Sequence, residues 1–591
     1  MEILSKPNKR HGLAESMLLR CTLCNHKTPL ETSPKVSPSL HLQKKKKSKV
    51  YDINIRSVLA SFANEIGHSG LKQLCADLNL HPPVQKLSFN NITKLISKAT
   101  DLAVQEELKR SGQKLMREML ENDPDNVHVN EHGDVVADVA VTVDGTWQKR
   151  GHTSKIGVIF IISVLTEEVL DFVVKSLVCH ECVAKKNSDK DSAEFKQWLE
   201  NHSTTCLIKH QGSSDSMENK GTAEMFLRSL EKHSMRYTVF VGDGDSGCFG
   251  YVKQQLEKVY GDAYPLRKEE CQGHVQKRMG TGLREMKKRL RGIKLADGKS
   301  LGGRNRLTDK MIDKFQNSYG LAIRRNTGDL DGMITSIWAV YEHMIMDDQT
   351  PLPEQHGKCP KTSDTWCKYW RARFDHSLTY DQSARLPQIF REQLKPIFTR
   401  LSNRDLLGRC LMGLTQNQNE SINGVLWKMI PKTRFCGKTR VQSAIGKTVL
   451  HFNSGSTSKA GIFNFLGMVP GENFFTISQS IDQERIKNAE RKVSDKERLA
   501  HKQRRAVRKK YVVDDRVNYM PGGFGIGKEP ENLEGDIAKD GNAGKSSKKP
   551  KKKNAKKRIE PPTSETENAD FNTETVEVQF VDDNKIINWI K

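Results

Sequence analysis

The segment that decides the fold is residues 135–176, VVADVAVTVDGTWQKRGHTSKIGVIFIISVLTEEVLDFVVKS. Three stretches in this region, VVADVAVTVDG, KIGVIFIISVL and EVLDFVVKSLV, are rich in β-branched residues and are separated by turn signals, which predicts an antiparallel meander. A helix (223–233), an apolar strand that ends in acids (237–245) and another helix (247–259) are predicted next. Strands followed by alternating helix and strand predict an α/β fold with a mixed sheet.

The charge and the apolar runs limit the class of protein. The 591 residues include 96 Lys+Arg and 72 Asp+Glu, and the net charge of +24 predicts a polyanionic partner such as nucleic acid. The longest apolar run, IGVIFIISVL, is about half of what a membrane span needs, so no membrane partner is expected. The N-terminus MEILSKPNKRHGL lacks a secretory signal, and a reducing compartment is expected. The 12 cysteines are then expected to be zinc ligands, core residues or free thiols.

Composition and periodicity divide the chain into six regions. The second region has two interpretations, a DNA-binding module or a cap on the next domain, and its long helix is predicted from an N-cap at Ser88 or Asn90 to about Leu120. The predicted regions are a disordered basic tail (1–50), a helical module (51–125), the first part of an α/β core (135–300) with a zinc-binding insertion (176–212), a helical insertion (301–410), the end of the core with a Glu-bearing helix (411–480), and a basic helix (484–510) within a disordered basic tail (481–591).

Acidic residues stand where predicted strands end. Asp144 follows ADVAVTV, Asp243 and Asp245 follow YTVFVG, and Glu420 stands at the start of a predicted helix in NQNESINGVLW. Mg²⁺ needs carboxylate oxygens at about 2.1 Å, and two such ions about 3.5–4 Å apart stabilise both oxygens of a phosphoryl displacement. Each aspartate taken alone is also a routine turn residue. The prediction of a metal site therefore depends on the whole set of acids in a basic chain.

Cysteine and histidine pairs predict metal binding at two places. The spacing Cys179-x2-Cys182 and His202-x3-Cys206 is that of a Cys₃His structural zinc site, with unrelated thiols as the alternative, and SAEFKQWLE predicts a short helix between the pairs. A second pair, Cys271-x2-His274, does not close a tetrahedral site by itself. The residues that would complete it are His356 and Cys359, with Cys367 nearby; the alternative is a buried thiol and a helix-end imidazole.

Two basic segments predict contacts with polyanions. The predicted helix VQKRMGTGLREMKKRLR either binds DNA phosphates or is merely solvated, and its candidate DNA-binding residues are Lys277, Arg278, Lys287, Lys288 and Arg289. The segment KSSKKPKKKNAKKR (545–558) contains nine basic residues and no acid. It predicts a nuclear-localisation signal, with a DNA-binding arm as the alternative.

Several motifs in combination resemble the Mutator-like transposase domain over about residues 51–480. They are VTVDGTWQKRGHTSKIGVIF, CHEC, QGSS, MRYTVFVGDGDS, ECQGHVQKRMGTGLR and NQNESINGVLW. That family is similar to the retroviral-integrase/RNase H superfamily, in which an Asp-Asp-Glu triad binds two divalent metal ions and cuts or joins DNA strands. The resemblance implies an RNase H-like mixed sheet interrupted by the zinc-binding loop and the helical insertion.

The resemblance also implies roles for individual residues. The triad maps onto Asp144, Asp243 (with Asp245 as the alternative second aspartate) and Glu420, the zinc ligands onto the Cys₃His set, and a family Cys/His pair onto Cys271 and His274. It implies catalytic Mg²⁺ or Mn²⁺, structural Zn²⁺, and double-stranded DNA with terminal inverted repeats as the partner, in the nucleus; a homo-oligomer stays open. The alternatives are a catalytically silent nuclear DNA-binding protein and a nuclease acting on RNA or hybrids.

Overall fold

In the computed structural model, segment 135–176 forms three antiparallel strands, as its pattern predicts. The structure describes residues 1–37, 50–63, 66–149, 154–203, 206–208, 210–214, 216–244, 246–362, 365–376, 378–380, 385–432, 436–494 and 497. Several predictions fall on other residues: Asp245, the basic run 43–49, the later part of the helix predicted over 484–510, and the segment 545–558. The described residues belong to one contact unit, Met1–Gly523.

The described strands and helices are named in chain order. The strands are β1 (Glu2–His11), β2 (Ala14–Arg20), β3 (Lys27–Glu31), β4 (Lys35–Val36), β5 (Val50–Tyr51), β6 (Val127–Val129), β7 (Val135–Trp147), β8 (Ile156–Ser163), β9 (Val169–Ser176), β10 (Met235–Gly242) and β11 (Arg267–Glu270). The helices are α1 (Asp52–Ala63), α2 (His68–Asp77), α3 (Lys86–Asn122), α4 (His180–Ala184), α5 (Ala193–Ser203), α6 (Ser216–Leu227), α7 (Ser229–His233), α8 (Ser246–Tyr260), α9 (Gln272–Arg289), α10 (Asp309–Arg324), α11 (Leu330–Met344), α12 (Leu352–Gln355), α13 (Lys368–Phe374), α14 (Phe390–Leu401), α15 (Arg404–Gly408), α16 (Asn417–Met429), α17 (Lys438–Ser454), α18 (Ala460–Phe465) and α19 (Glu472–Val493).

The central sheet is mixed and has the strand order β11-β10-β7-β8-β9, with β6 paired to the start of β7. Strands β7, β8 and β9 are antiparallel, whereas β10 is parallel to both β7 and β11. Every residue of β8 is buried. Phe160 and Ile162 pack into one apolar cluster with α3 and α17, and Ile159 and Ile161 pack into another with α6 and α8. Helices therefore cover both faces of this strand, which explains its unbroken apolar sequence.

In region 51–125, α3 packs against β9 of the sheet and α1 packs on α3; the cap and the DNA-binding module both stay predictions. Helix α3 has 37 residues and packs against α17 and α18, and its buried side chains share a cluster with β8. The prediction of its start was wrong: α3 begins at Lys86 with Gln85 as N-cap, so Ser88 and Asn90 lie inside the helix. No described helix is both long enough and apolar enough to cross a bilayer.

The prediction of a disordered tail over residues 1–50 was wrong for residues 1–37. Strands β1, β2 and β3 form an antiparallel sheet, and Gly12 makes the first turn with a φ of 64°. The side-chain amide of Asn54 in α1 secures this turn, since it donates to His11 O (2.6 Å) and accepts from Leu13 N (3.0 Å). The residues of β3 are all exposed and polar contacts such as Ser16 Oγ to Glu31 (2.7 Å) join it to β2, so it shows no apolar alternation to detect.

The helical insertion begins earlier than the predicted residue 301. Its apolar cluster includes Val275 and Met279 of α9 and extends through α10, α11 and α14 to Cys410. The two ends of this segment lie side by side, because Glu270 N donates to Arg409 O (2.8 Å) and Gln272 N donates to Leu414 O (3.1 Å). The insertion therefore leaves and rejoins the core at nearly the same point.

Close packing between α3 and α17 yields a stability prediction. A β-carbon added to Gly446 would lie 2.6 Å from Thr100 Cγ2 and 3.0 Å from Val104 Cγ2. We expect Gly446→Ala to lower the free energy of unfolding by about 1–3 kcal/mol, measured by urea denaturation. The matched control is Gly424→Ala in α16, where nothing lies within 4 Å and about 0.5–1 kcal/mol should be gained. Equal effects of the two substitutions would contradict this packing.

Candidate active site and metal centres

The two strand-end aspartates meet at one edge of the sheet. Asp144 lies in β7 opposite Phe160 of β8, and Thr142 pairs with Val241 of the parallel strand β10. Because the pairing advances one residue at a time from Val239 onward, after a register shift between Tyr237 and Val239, continuing it brings Asp243, just after β10, beside Asp144. The alternative second aspartate, Asp245, lies outside the described residues.

A row of polar side chains on α16 fastens that helix to the same edge. We call this row the α16 clamp; it consists of Gln416 (the N-cap), Asn419, Asn423 and Trp427, spaced three or four residues apart so that they share one face of the helix. Its four bonds to β7 are Gln416 Nε2 to Val143 O (2.6 Å), Thr142 Oγ1 to Asn419 Oδ1 (2.6 Å), Asn423 Nδ2 to Asp144 Oδ2 (2.7 Å) and Trp427 Nε1 to Thr146 Oγ1 (2.7 Å).

The clamp brings Glu420 to the aspartates. Asn419 is fully buried, and besides accepting from Thr142 it donates to Phe160 O (3.3 Å), so it joins two strands. Glu420 is the next residue on α16. The pKa of Asp144 is raised to about 7, first by burial and then by the negative charges of Asp243 and Glu420. Asp243 and Glu420 therefore both lie close enough to Asp144 for their charges to act on it.

Cationic groups surround Glu420. Lys277 Nζ lies 3.1 Å and His274 Nε2 lies 3.6 Å from its carboxylate oxygen. The hydrogen bond with His274, followed by the interaction with Lys277, lowers the pKa of Glu420 to about 2. Contact with the Cys271 thiol and with Glu420 raises the pKa of His274 to about 10. The His274 ring is held by Gln416 Oε1, 2.9 Å from its Nδ1.

The pair Cys271 and His274 therefore belongs to the acidic site. Cys271 is the N-cap of α9 and accepts a bond from Gln416 N (3.3 Å). Although burial raises the pKa of its thiol, the His274 contact brings it below its ordinary value. The predicted joint site of this pair with His356 and Cys359 was wrong, because those two residues belong to a different cluster within the helical insertion.

Two clusters of metal-binding side chains occur among the described residues. In each, the four ligand atoms lie within 4.8 Å of one another: Cys179, Cys182, His202 and Cys206 form the first, and His343, His356, Cys359 and Cys367 form the second. The three acids are not such a cluster. Acids that bind two ions about 3.5–4 Å apart need not converge on one point, so a wider spacing is compatible with a two-metal site.

The first cluster has the ligand set predicted from the spacing. The distance from His202 Nε2 is 3.5 Å to Cys179 Sγ and 3.2 Å to Cys182 Sγ, and Cys182 Sγ lies 3.6 Å from Cys206 Sγ. His202 lies in the last turn of α5. The Glu181 carboxylate lies 2.9 Å from His202 Nδ1. A carboxylate on the second ring nitrogen is the usual support for a zinc-binding histidine.

The predicted DNA-binding residues on α9 differ in their surroundings. Lys277 contacts Glu420, Arg278 contacts Glu270 (2.6 Å), and Lys287 contacts Asp309 (2.9 Å). Lys288 and Arg289, at the end of α9, are exposed. Acidic neighbours thus engage the first three side chains.

Sequence reasoning missed several residues of the site. The clamp amides Asn419 and Asn423 were present in NQNESINGVLW, with Gln416 just before it, and their three- and four-residue spacing is a helical pattern that could have revealed them. Glu218 of α6 was also missed; its carboxylate accepts from Gly145 N (3.2 Å), next to Asp144. No local motif identifies Glu218, because only the packing of α6 brings it to β7.

Comparison with known proteins gives one family match. The family described as Mutator-like transposase matches residues 1–367. Asp144, Asp243 and the first Cys/His cluster lie within the match, whereas Glu420 lies beyond its end. The match includes residues 1–37, which the resemblance to about 51–480 left out. No curated protein and no solved structure matches the chain.

The first cluster yields a prediction about zinc content. We expect the purified full chain to contain zinc and Cys182→Ser to lose about one zinc ion per chain, because a tetrahedral site that lacks a thiolate binds far more weakly. The measurement is elemental analysis by mass spectrometry. Cys248→Ser is the matched control, since Cys248 is buried in a helix outside both clusters. Unchanged zinc in Cys182→Ser would contradict the assignment.

Proposed function

The chain belongs to the Mutator-like transposase family, and we propose that it is a DDE-type transposase, or a domesticated derivative of one, that binds DNA and cleaves or joins its strands with divalent metal ions. The observation that carries the proposal is the placement of Asp144 on β7, of Asp243 directly after the neighbouring parallel strand β10, and of Glu420 on α16, the helix that the clamp holds to β7. Family membership supports a transposase-related function, DNA binding and the use of divalent metals.

We further propose that the core is RNase H-like. The support is its strand arrangement: three antiparallel strands followed by a strand parallel to the first, with Asp144 inside the first strand and Asp243 directly after the neighbouring parallel strand. The first strand carries Asp144, the parallel strand leads into Asp243, and a later helix carries Glu420. This is the order that the resemblance implies for a DDE triad.

The donor set fits Mg²⁺ or Mn²⁺. Carboxylate oxygens are the ligands that these hard cations prefer, and the pKa of Asp144 is raised first by burial and then by nearby negative charge, which a bound cation would offset. Asp144, Asp243 and Glu420 would hold the ions. When bound, a pair of such ions supplies Lewis-acid stabilisation of the charge that develops during phosphoryl transfer.

The neighbouring side chains have positioning roles. Asn423 donates to one oxygen of Asp144 and leaves its other oxygen available. Lys277 and His274 keep Glu420 ionised, and Gln416 orients the His274 ring. Lys277 is also exposed, so its ammonium group can contact a phosphate at the site.

We propose that α9 extends the site into a DNA-binding surface. Lys277 lies at the acidic cluster, and the exposed Lys288 and Arg289 follow at the other end of the helix. Their charges would neutralise backbone phosphates of double-stranded DNA, and terminal inverted repeats are the expected substrate. A homo-oligomer stays a prediction.

The catalytic proposal is tested by removing one carboxylate. We expect Asp144→Asn to reduce Mg²⁺- or Mn²⁺-dependent cleavage of terminal-repeat DNA by at least about a hundredfold, because a metal ligand is lost. The matched control is Asp138→Asn, a carboxylate of the same strand that pairs with Arg236 (2.6 Å). Equal cleavage by Asp144→Asn and the unaltered protein would reject the role. If neither the unaltered protein nor either variant cleaves DNA in the presence of metal ions, the result would favour the alternative of a catalytically silent DNA-binding protein.

The DNA-binding proposal is tested by salt dependence. The double substitution Lys288→Ala and Arg289→Ala should flatten the plot of log affinity against log salt concentration by up to about 1.8, which is about 0.9 for each lost phosphate contact. Fluorescence anisotropy with duplex DNA measures it. The control removes the same charge from α3 through Lys94→Ala and Lys98→Ala, which are also exposed. If both double variants give the same slope, α9 has no special role.

We propose nuclear import through residues 545–558. Their nine basic residues without an acid are the sole support, and they lie outside the described part of the chain. Deleting 545–558 from a fluorescent fusion should abolish nuclear accumulation in microscopy. Accumulation that persists unchanged in the deletion would reject this signal.

A further inference from the structure

The segment between α11 and α14 has very little apolar core of its own. The helices among its described residues are α12, with four residues, and α13, with seven. The apolar cluster here consists of Ala339, Cys359, Cys367 and Tyr369, so two of its four buried members are thiols. A segment with so little apolar burial needs another source of order, such as a disulfide or a structural metal. Cys359 and Cys367 do not form a disulfide with each other.

Four buried donor atoms converge at the centre of this segment. His343 comes from the last turn of α11, His356 follows α12, Cys359 lies in the next loop, and Cys367 is the N-cap of α13. Their exposed fractions are 9%, 0%, 4% and 0%, respectively. All four ligand atoms lie within 4.8 Å of one another. We propose that these four residues bind a second structural zinc ion, in a Cys₂His₂ site.

The distances between the donors agree with tetrahedral zinc. Zn–N bonds of about 2.05 Å and Zn–S bonds of about 2.3 Å separate two nitrogens by about 3.4 Å, and a nitrogen from a sulfur by about 3.6 Å. The two Nδ1 atoms of His343 and His356 are 3.1 Å apart. Cys367 Sγ lies 3.5 Å from each of them, and Cys359 Sγ lies 3.9 Å from His343 Nδ1 and 3.8 Å from His356 Nδ1.

Surrounding aromatic side chains hold the imidazoles in the orientation that ligation requires. His356 directs its Nε2 at the Tyr380 hydroxyl (3.0 Å), which leaves Nδ1 for the cluster. The Tyr369 ring stacks on His356 with centroids 4.6 Å apart, and the Trp366 ring meets His343 edge-on at 5.0 Å. Trp370 Nε1 donates to His356 O (2.9 Å). A hydrogen bond on the second nitrogen and a packed ring are the usual supports of a zinc-binding histidine.

The site ties several otherwise separate pieces of chain to α11. His343 belongs to a helix of the insertion's apolar cluster, whereas the other three ligands lie in the segment that follows. Arg385 closes the far end of this segment through bonds to Glu342 O (2.9 Å) and Ile345 O (2.7 Å). Zinc would therefore supply folding energy that the small apolar cluster lacks. Neither this ion nor its ligands has a part in the proposed catalysis.

Zinc counting on the full chain tests the proposal. We expect about two zinc ions per chain in the unaltered protein, about one in Cys367→Ser, about one in Cys182→Ser and almost none in the double variant. Cys410→Ser is the matched control, because Cys410 is a buried thiol of the same insertion outside the cluster. About one zinc in the unaltered protein, lost completely in Cys182→Ser, would overturn the second site.

X-ray absorption at the zinc edge tests the same site without any substitution, so it remains valid if Cys367→Ser unfolds. A Cys₃His and a Cys₂His₂ site together give an average of about 2.5 sulfurs and 1.5 nitrogens per zinc. The first site alone gives about three sulfurs and one nitrogen. The first average supports the proposal and the second rejects it. Both results are independent of DNA cleavage, so the proposed function stands or fails separately.

Discussion

The attachment of α16 to β7 is the contact on which the candidate site depends. Its four hydrogen bonds join residues that are 273 to 281 positions apart in the chain. Asn419 is fully buried and uses both its amide oxygen and its amide nitrogen, so loss of either partner would leave a buried polar group unpaired, at about 1–3 kcal/mol. Glu420 comes near Asp144 only because its helix is held in this way.

The helical insertion makes this long-range contact possible. Its two ends are joined by backbone bonds from Glu270 to Arg409 and from Gln272 to Leu414, and it has an apolar cluster of its own. An insertion that folds separately and returns to its starting point adds little to the entropy cost of closing the core. The same insertion contributes Lys277 and His274 of α9, so it also sets the charge around Glu420.

Prediction from the sequence succeeded where burial imposes a pattern and was wrong where it does not. The meander at 135–176 was predicted correctly because β8 is buried on both faces. The sheet at residues 1–37 was missed because β3 is exposed and shows no apolar alternation. The strand β11, RKEE, was missed because it has no apolar residue, although Glu269 and Glu270 are buried. His343 had no nearby cysteine or histidine partner in the sequence, and only the packing of α11 reveals it.

The sequence by itself determined the family, the strands of the meander, the acidic candidates for metal binding and the first Cys/His set, since these depend on local pattern and spacing. The tertiary structure alone decided which distant groups meet. It assigned Cys271 and His274 to the acidic site, gave His356 and Cys359 the partners His343 and Cys367, and brought Glu420 to Asp144. The physical reason is that contacts between residues distant in the sequence depend on how whole helices pack, and no short stretch of sequence encodes that packing.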